Sequence, residues 1–174
     1  MGLTIRRATI GDAGAIAHVH VESWKSTYVQ IVPDAYLASL NAEARSPFWQ
    51  KQIEAGDSLT FVAESETGVV GFASAGRLRE AIESYDAELY AIYLLREFQC
   101  CGAGRALVRA VVDSLHAEGF KGMAVWVLER NPAVSFYKKL GGIQVAAKSI
   151  EIGGVSLEEV ALGWPDLDAL ARSF

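Results

Sequence analysis

Several features that mark specialised classes of protein are scarce in this chain of 174 residues. Its two cysteines, Cys100 and Cys101, are neighbours, and adjacent cysteines close a disulfide only with strain, which excludes a disulfide-stapled secreted domain. No stretch approaches the roughly 18 consecutive apolar residues of a membrane-spanning helix, and the N-terminal residues lack the apolar core of a secretion signal. The sequence therefore predicts a cytoplasmic protein with reduced thiols that does not bind membranes.

Basic residues are also in the minority. Sixteen lysines and arginines stand against twenty-one acidic residues, for a net charge of −5, and no basic cluster is longer than two residues. Such a surface repels nucleic acid, so we expect no nucleic-acid partner. Hydrophobic residues, by contrast, make up 51% of the chain, which excludes a disordered protein. With no repeat and no Pro/Ser-rich linker, the length predicts a single domain over residues 1–174.

Hydrophobic periodicity and turn residues predict an α/β (α+β) chain with the element order β-α-α-β-β-β-α-β-α-β-β. Strands are expected at Leu3–Arg7, Leu59–Glu64, Val69–Gly76, Ala87–Leu95, Met123–Leu128, Ile143–Ile152 and Val155–Leu162. Helices are expected from about Thr9 to Trp24, from about Asp34 to Ala55, at Gly102–Glu118 and from Asn131 to Gly141. The strands on either side of Gly102–Glu118 should be parallel neighbours, whereas the hairpins are antiparallel. The predicted fold is a mixed, mostly antiparallel central sheet with helices on both faces.

The segment Gln99–Gly104 lies between the most apolar strand and the helix with the clearest pattern. A helix N-terminus offers unpaired amides and a positive dipole end, and Gly102 and Gly104 remove side chains that would keep a phosphate from those amides. Gln99 can add a side-chain donor and Arg105 a positive charge. The turn therefore suits a pyrophosphate, although two glycines alone are equally compatible with an ordinary glycine-rich loop.

Two common nucleotide-binding patterns do not fit this turn. A P-loop requires Gly-Lys-Ser/Thr after its glycines, but Gly104 is followed by Arg105 and Ala106. A dinucleotide fingerprint requires a third glycine at the position that Leu107 occupies. The pattern that does fit is Gln-x-x-Gly-x-Gly.

With this pattern the sequence resembles the GCN5-related N-acetyltransferase (GNAT) superfamily, whose acetyl-coenzyme A (acetyl-CoA) signature is Gln/Arg-x-x-Gly-x-Gly/Ala after a strand. The segment Asn131–Gly141 is similar to a second family signature, Asn…Ala…Phe-Tyr…Gly, and lies at the right distance. The element order resembles that of the family over nearly the whole chain, and the specific part is residues 87–142. In departures from the family, Arg96 stands where proline is frequent, and Gly142 replaces a usual aromatic residue.

The resemblance implies an enzyme that transfers the acetyl group of acetyl-CoA directly to a primary amine of an unidentified small molecule. It implies that the strand Ile92–Leu94 bulges, pairs its backbone with the pantetheine arm and turns one amide toward the thioester oxygen. Tyr137 is the implied general acid for the leaving thiolate, with simple packing on its helix as the alternative. Asn131 is open between a helix N-cap and a contact to the pantetheine arm. The implied coenzyme-binding residues are Ile92, Tyr93, Leu94, Gln99, Cys100, Cys101, Gly102, Ala103, Gly104, Arg105, Asn131, Ala133, Phe136 and Tyr137.

Other residues are candidates for the acceptor side. Glu88, at the start of the central strand, is the candidate general base for the acceptor ammonium, with a solvated carboxylate as the alternative. Asp86 and Glu22 are weaker candidates. Three aromatic residues lie in the first helical region, which walls the acceptor pocket in the family, and can either bind substrate or pack in the core: Trp24, Tyr28 and Tyr36.

No metal site is expected, because His18 and His20 are two residues apart and point in different directions on a helix. Two other functions remain open, a peptide or protein N-terminal acetyltransferase and a non-catalytic acyl-CoA-binding regulatory module. A homodimer through the C-terminal strands is also open. The loop Arg77–Tyr85 and the helices from Trp24 to Ile53 are expected to select the acceptor.

Overall fold

The structure is a computed structural model that describes residues 2–174. Its strands are β1 (Thr4–Arg7), β2 (Leu59–Ser65), β3 (Gly68–Arg77), β4 (Ala87–Leu94), β5 (Met123–Leu128), β6 (Ile143–Ile152) and β7 (Val155–Trp164). Its helices are α1 (Ala13–Thr27), α2 (Asp34–Ser39), α3 (Ala42–Ala55), α4 (Ala103–Ala117), α5 (Ala133–Lys139) and α6 (Leu167–Arg172). Short 3-10 turns at Ile10–Asp12 and Arg96–Phe98 precede α1 and α4.

The seven strands form one sheet in the order β1-β2-β3-β4-β5-β7-β6. Each neighbouring pair is antiparallel except β4 and β5, which run parallel because α4 connects them across one face of the sheet. The last strand, β7, lies between β5 and β6, so it touches the centre of the sheet. The expected mixed, mostly antiparallel sheet is confirmed.

Helices cover both faces of this sheet, as predicted. On one face α1 and α3 pack through Ile16 and Trp49 against Phe72 of β3. On the other face α4 buries Leu107 and Val111 completely, because its apolar residues recur at helical spacing and form one stripe. Such tertiary packing supplies most of the stability of short helices. Among residues 2–174, no helix is both long enough and apolar enough to cross a membrane.

The second helical region is two helices rather than one. Leu40 ends α2 in an extended conformation, with φ −69° and ψ 130°. Asn41 then begins α3, where its side-chain oxygen accepts a hydrogen bond at 3.0 Å from the amide three residues later. Pro47 lies inside α3. A Cβ at Gly153 would lie only 2.9 Å from the Cβ of Tyr36, so α2 rests on the β6–β7 turn.

The two parallel strands pair over a short distance only. Their register joins Ala87 to Met123 and Glu88 to Ala124, and beyond these positions the strands separate although both continue. We call the resulting space between β4 and β5 the wedge. Main-chain groups of the two strands cannot pair with each other across it, so they are left available to a ligand.

A bulge kinks β4 where the strands separate. Ser74 and Ala75 of β3 pair with the residues on either side of Tyr90, so Tyr90 is the extra residue. Its hydroxyl donates to the Arg77 carbonyl oxygen at 2.6 Å, which anchors the bulge to β3. The family resemblance had implied a bulge at Ile92–Leu94. That position was wrong, because the pairing of those residues with β3 is regular.

Candidate active site

The turn between β4 and α4 presents main-chain amides. Cys100 (φ 59°) and Gly102 (φ 90°) both have left-handed backbone conformations, and Gly102 is the N-cap of α4. The first amide of this helix that bonds within it is that of Ala106, to the Gly102 carbonyl oxygen at 3.0 Å. The amides before it are the unpaired donors of the helix N-terminus, at its positive end. Cys100 and Cys101 are exposed free thiols.

Two side chains that were expected to help bind phosphate have partners within the protein. Gln99 Nε2 donates to the Leu94 carbonyl oxygen at 3.1 Å and fastens the turn to the end of β4. The Arg105 guanidinium hydrogen-bonds the Ser173 carbonyl oxygen and lies 5.0 Å from the centroid of the Phe174 ring. The donors of the turn are therefore mainly its main-chain amides, and coenzyme contacts from these two side chains stay predictions.

Gly104 brings the two motif segments together. A Cβ at this position would lie 3.4 Å from the Phe136 ring and 3.5 Å from the Leu94 side chain. The start of α4 therefore packs directly against α5 and the end of β4. Phe136 and Ala133 are both partly buried against the core on this side of the sheet. The structure thus juxtaposes two segments that are about 30 residues apart and that the sequence could only relate by resemblance.

Tyr137 is a buried residue of α5, with 4% exposure. Its ring centroid lies 5.4 Å from that of Phe136 and 6.1 Å from that of Trp164. Burial is the main cause that raises the pKa of its hydroxyl, and Tyr93 raises it further, so Tyr137 is protonated at neutral pH. Burial followed by Tyr93 and Tyr137 likewise raises the pKa of Tyr28. Three phenol groups therefore converge between β4, α5 and the end of α1.

Asn131 is buried immediately before α5, and both ends of its amide are hydrogen-bonded. Its Oδ1 accepts from the Ala133 amide at 2.8 Å, which supports the first turn of the helix. Its Nδ2 donates to the Tyr28 hydroxyl at 2.9 Å. The N-cap of α5 is Pro132, so the expected N-cap position was wrong by one residue, and Asn131 supports the helix start from the position before the cap. The contact to a pantetheine arm stays a prediction.

The three candidate acceptor aromatics form what we call the aromatic wall, Trp24, Tyr28 and Tyr36. The ring centroids of Trp24 lie 4.5 Å from Tyr28 and 6.2 Å from Tyr36. Trp24 Nε1 donates to the Tyr93 hydroxyl at 3.0 Å, which links the wall to β4. Tyr28 is buried, whereas Trp24 and Tyr36 are partly exposed. The wall therefore packs in the core and also keeps an accessible aromatic surface.

Glu88 lies on the sheet face opposite α4 and is almost completely buried. Arg79 bonds both of its oxygens, through Nη2 to Oε1 at 2.5 Å and through Nε and the main-chain amide to Oε2 at 3.2 and 3.1 Å. The carboxylate expected to act as the base is therefore held in a buried ion pair. Of the weaker candidates, Asp86 accepts hydrogen bonds from two amides before β5, and Glu22 is exposed.

A cavity of about 290 Å³ opens on this same face of the sheet. Glu88 belongs to the last paired position of β4 and β5, and Trp126 lies just beyond it on β5, so the cavity adjoins the wedge. We call it the acceptor cavity. Its lining residues are Arg79, Glu80, Glu88, Trp126, Lys148 and Glu159.

Charged side chains dominate the acceptor cavity, with three carboxylates against two cations. The Lys148 ammonium hydrogen-bonds Glu80 and lies 4.1 Å from the centroid of the Trp126 ring and 3.9 Å from Glu159. Burial is the main cause that raises the pKa of Glu159. The excess of negative charge favours the entry of a cation.

Reasoning from the sequence missed Trp126, Lys148 and Glu159. Each lies on a different strand, and they converge only because β7 lies between β5 and β6. Strand alternation assigns each side chain to one of two faces, but it does not say which strands are neighbours. The order of the C-terminal strands was therefore the missing information.

His20 packs beside the aromatic wall. Its ring stacks on Tyr93 with centroids 5.1 Å apart, and its Nδ1 accepts a hydrogen bond from Trp49 Nε1 at 3.3 Å. Burial, assisted by the charge of Arg45, lowers the pKa of His20 to about 4, so the ring is neutral at pH 7. Within residues 2–174, no three Cys, His, Asp or Glu side chains are grouped so that they could hold a metal ion.

Comparison with known proteins identifies a family. Residues 21–142 match the Acetyltransferase (GNAT) family, a span that includes both motif segments. The chain is also 48% identical over 169 residues to a Bacillus subtilis (strain 168) protein described as uncharacterized N-acetyltransferase YuaI. The aligned region covers 97% of this chain and 96% of that protein.

Solved structures with a similar fold include several acetyltransferases. PaiA N-acetyltransferase from Thermoplasma acidophilum, in complex with coenzyme A, superposes with a TM-score of 0.71 at 24% identity, over 92% of this chain and 98% of that one. A putative acetyltransferase, yncA from Salmonella typhimurium, with acetyl-CoA, superposes with a TM-score of 0.71 at 21% identity, over 97% and 95%. At these identities the likeness shows the shared fold.

Proposed function

The chain belongs to the Acetyltransferase (GNAT) family and is an acyltransferase enzyme, and from this premise we propose that it transfers the acetyl group of acetyl-CoA directly to a primary amine of a small molecule. One observation carries the proposal: the amide-bearing turn follows the open end of the wedge, and the acceptor cavity adjoins its paired end. A donor held in the wedge and an amine held in the cavity would meet without a covalent enzyme intermediate.

The coenzyme fits this arrangement in two ways. The unpaired amides at the start of α4, next to Gly102, suit its pyrophosphate. The wedge suits its pantetheine arm, because β4 beyond Tyr90 has no partner in β5 and can hydrogen-bond a ligand instead. The presence of coenzyme A or acetyl-CoA in two proteins of similar fold supports this choice of donor.

Tyr137 supplies the proton that the leaving sulfur needs. As the amine nitrogen bonds to the thioester carbonyl carbon and the C–S bond breaks, the Tyr137 hydroxyl protonates the sulfur. Its raised pKa keeps it protonated at neutral pH, so the proton is present when transfer begins. A main-chain amide of β4 near Tyr93 or Leu94 donates to the oxygen on which negative charge develops.

The acceptor is a small cationic amine. A cavity of about 290 Å³ is just below the usual range for small-molecule sites, about 300–1,000 Å³, which favours a small acceptor. Its excess of carboxylates attracts an ammonium group, and the aromatic wall offers an apolar surface nearby. The loop expected to select the acceptor contributes Arg79 and Glu80 to the lining.

A thiol-release screen tests this function. Acetyl-CoA is combined with the enzyme and, separately, with diamines, amino acids, aminoglycosides and peptides with free N-termini, and free coenzyme A is measured. We expect release with at least one small amine. Release with peptides alone would favour an N-terminal acetyltransferase. Binding of acetyl-CoA without release on any amine would favour a non-catalytic module, and no binding would defeat the proposal.

A further inference from the structure

We propose that Glu159 takes the proton from the acceptor's ammonium group and is therefore a catalytic residue. The inference rests on the proposed acetyl transfer. An ammonium nitrogen has no lone pair, so it must lose a proton before it can attack the thioester. Three carboxylates line the acceptor cavity and are within reach of such a group: Glu80, Glu88 and Glu159.

Two of these carboxylates already have strong partners. Arg79 bonds both oxygens of Glu88 within 3.2 Å, and Lys148 hydrogen-bonds Glu80. Charge-assisted bonds of this kind occupy carboxylate oxygens that would otherwise be open to the acceptor's ammonium group. Glu159 differs, because the only cation within 4 Å of it among residues 2–174 is Lys148, at 3.9 Å. Its oxygens are free to accept a proton.

The position of Glu159 suits this role. In the sheet it lies between Leu128 of β5 and Lys148 of β6. Leu128 belongs to the same packed cluster as Tyr28, so Glu159 lies beside the packing of the aromatic wall, and it lines the same cavity as Glu88 and Trp126. Its side chain is 17% exposed, which shelters it from bulk water while leaving it open to the cavity.

Lys148 shows that this corner of the cavity accommodates a primary ammonium group. Its Nζ lies over the face of Trp126 and close to the carboxylates of Glu80 and Glu159. An aromatic face beside carboxylates stabilises a cation. An acceptor ammonium has the same chemistry and would donate to an oxygen of Glu159.

Burial and the neighbouring charges together raise the pKa of the Glu159 carboxyl group. Burial raises its pKa most, Glu88 and Glu80 raise it further, and Lys148 and Arg79 oppose them, with a net upward shift. A carboxylate whose pKa moves toward neutral pH accepts a proton more readily than an ordinary one.

The proton balance of the reaction closes with two residues. The acceptor R–NH3+ gives one proton to the Glu159 carboxylate, and the neutral nitrogen then bonds to the carbonyl carbon. The C–S bond breaks, and the sulfur takes the hydroxyl proton of Tyr137, which recovers a proton from the new amide nitrogen. Glu159 releases its proton to water, so the products are the amide, the free thiol and one proton.

The test is the pH dependence of kcat/KM between pH 5 and 9. The acceptor is whichever of 1,4-diaminobutane, glycinamide and an alanine-initiated tetrapeptide the wild type acetylates fastest. We expect Glu159→Gln to lower kcat/KM about a hundredfold at pH 7 and to move the acidic loss of activity upward toward the pKa of the acceptor amine, because only amine that is already neutral in solution can then react. Glu158→Gln, a change at the exposed neighbouring position, should keep the wild-type profile. Glu159→Asp should retain the acidic loss at a lower rate.

A second measurement does not depend on activity. The ¹³C signal of the Glu159 carboxyl group, assigned by its absence in Glu159→Gln, should titrate above the ordinary value of about 4.3. Titration at or below that value would overturn the inference. So would an acidic loss that stays at the same pH in Glu159→Gln, or one that moves upward in Glu88→Gln instead. If the wild type releases no thiol with any amine, the acetyl transfer itself is refuted, and the role of Glu159 with it.

Discussion

The two halves of the site are built from different groups. The coenzyme half comprises the turn, the wedge and α5, and it exposes mainly main-chain groups whose directions depend on backbone conformation at positions such as Gly102. The acceptor half comprises the aromatic wall and the acceptor cavity, and it exposes side chains from several strands and a loop. The coenzyme half should therefore lose its function when the backbone is strained. The acceptor half should lose its function when a charged side chain is changed.

The largest effect should come at the boundary of the two halves. Tyr137→Phe removes the proton for the leaving sulfur but keeps the packing against Phe136 and Trp164. We expect kcat to fall about a hundredfold, equivalent to about 2.7 kcal/mol, with the Kd for acetyl-CoA unchanged. Ser65→Ala, which removes a hydroxyl at the turn between β2 and β3, a segment that belongs to neither half of the site, serves as the control. Full activity in Tyr137→Phe would remove this residue from the mechanism.

The free energy of unfolding should depend on pH through His20, which packs beside the aromatic wall of the acceptor half. Its pKa is about 4 in the folded protein against an ordinary 6.5, so the unfolded chain binds more protons between these values. The contribution of the neutral His20 ring to the unfolding free energy should therefore be fully present above pH 6.5. It should fall by on the order of 2–3 kcal/mol as the pH drops to 4. Urea unfolding of the wild type and His20→Phe measures this. The unfolding free energy of His20→Phe should lack this decrease between pH 6.5 and 4. An equal decrease in both proteins would contradict the lowered pKa of His20.

The next effect tests the buried ion pair of the acceptor cavity. Arg79→Met leaves the Glu88 carboxylate, 2% exposed, without a counter-charge. Because the arginine side chain itself is 64% exposed, we expect a loss of about 2 kcal/mol in unfolding free energy rather than the full cost of a completely buried pair. The double variant Arg79→Met/Glu88→Gln should recover most of it.

Arg109→Met breaks an exposed pair with Asp113 on α4 and is the matched control. Its cost should be below about 0.5 kcal/mol. Equal losses in the two arginine variants would show that burial of Glu88 contributes nothing. Acetyl-CoA affinity should stay unchanged in both, because neither residue belongs to the coenzyme half.

The difference between main-chain groups of local segments and side chains from distant strands also explains which parts of the fold and site the sequence could predict. The turn and the start of α5 depend on neighbouring residues, so the Gln-x-x-Gly-x-Gly pattern and Asn131–Gly141 revealed them. The sheet followed from periodicity, since the helix between β4 and β5 requires a parallel connection. The cytoplasmic location and the homodimer stay predictions.

What could not be predicted depends on contacts between distant segments. The partners of Arg105 lie at the C-terminus, and the partner of Glu88 lies in the loop before β4. No periodicity encodes the order β5-β7-β6, so the sequence did not indicate that Glu159 lines the acceptor cavity. The bulge lies at Tyr90 rather than at Ile92–Leu94. There the Tyr90 hydroxyl donates a hydrogen bond to β3, a contact that depends on the strand register.

The smallest effect expected is also the most direct test of the central claim that the turn at Gly102 binds acetyl-CoA. Gly102 and Gly119 lie at opposite ends of α4, share φ +90° and have no atom within 4 Å of an added Cβ. Valine at either position should therefore impose similar backbone strain, about 1–2 kcal/mol. The measurement is calorimetric titration of acetyl-CoA into the wild type and both variants. We expect Gly102→Val to weaken binding at least about tenfold, or 1.4 kcal/mol, and Gly119→Val to bind as the wild type does. Equal affinities in all three proteins, or no binding to the wild type, would contradict the claim.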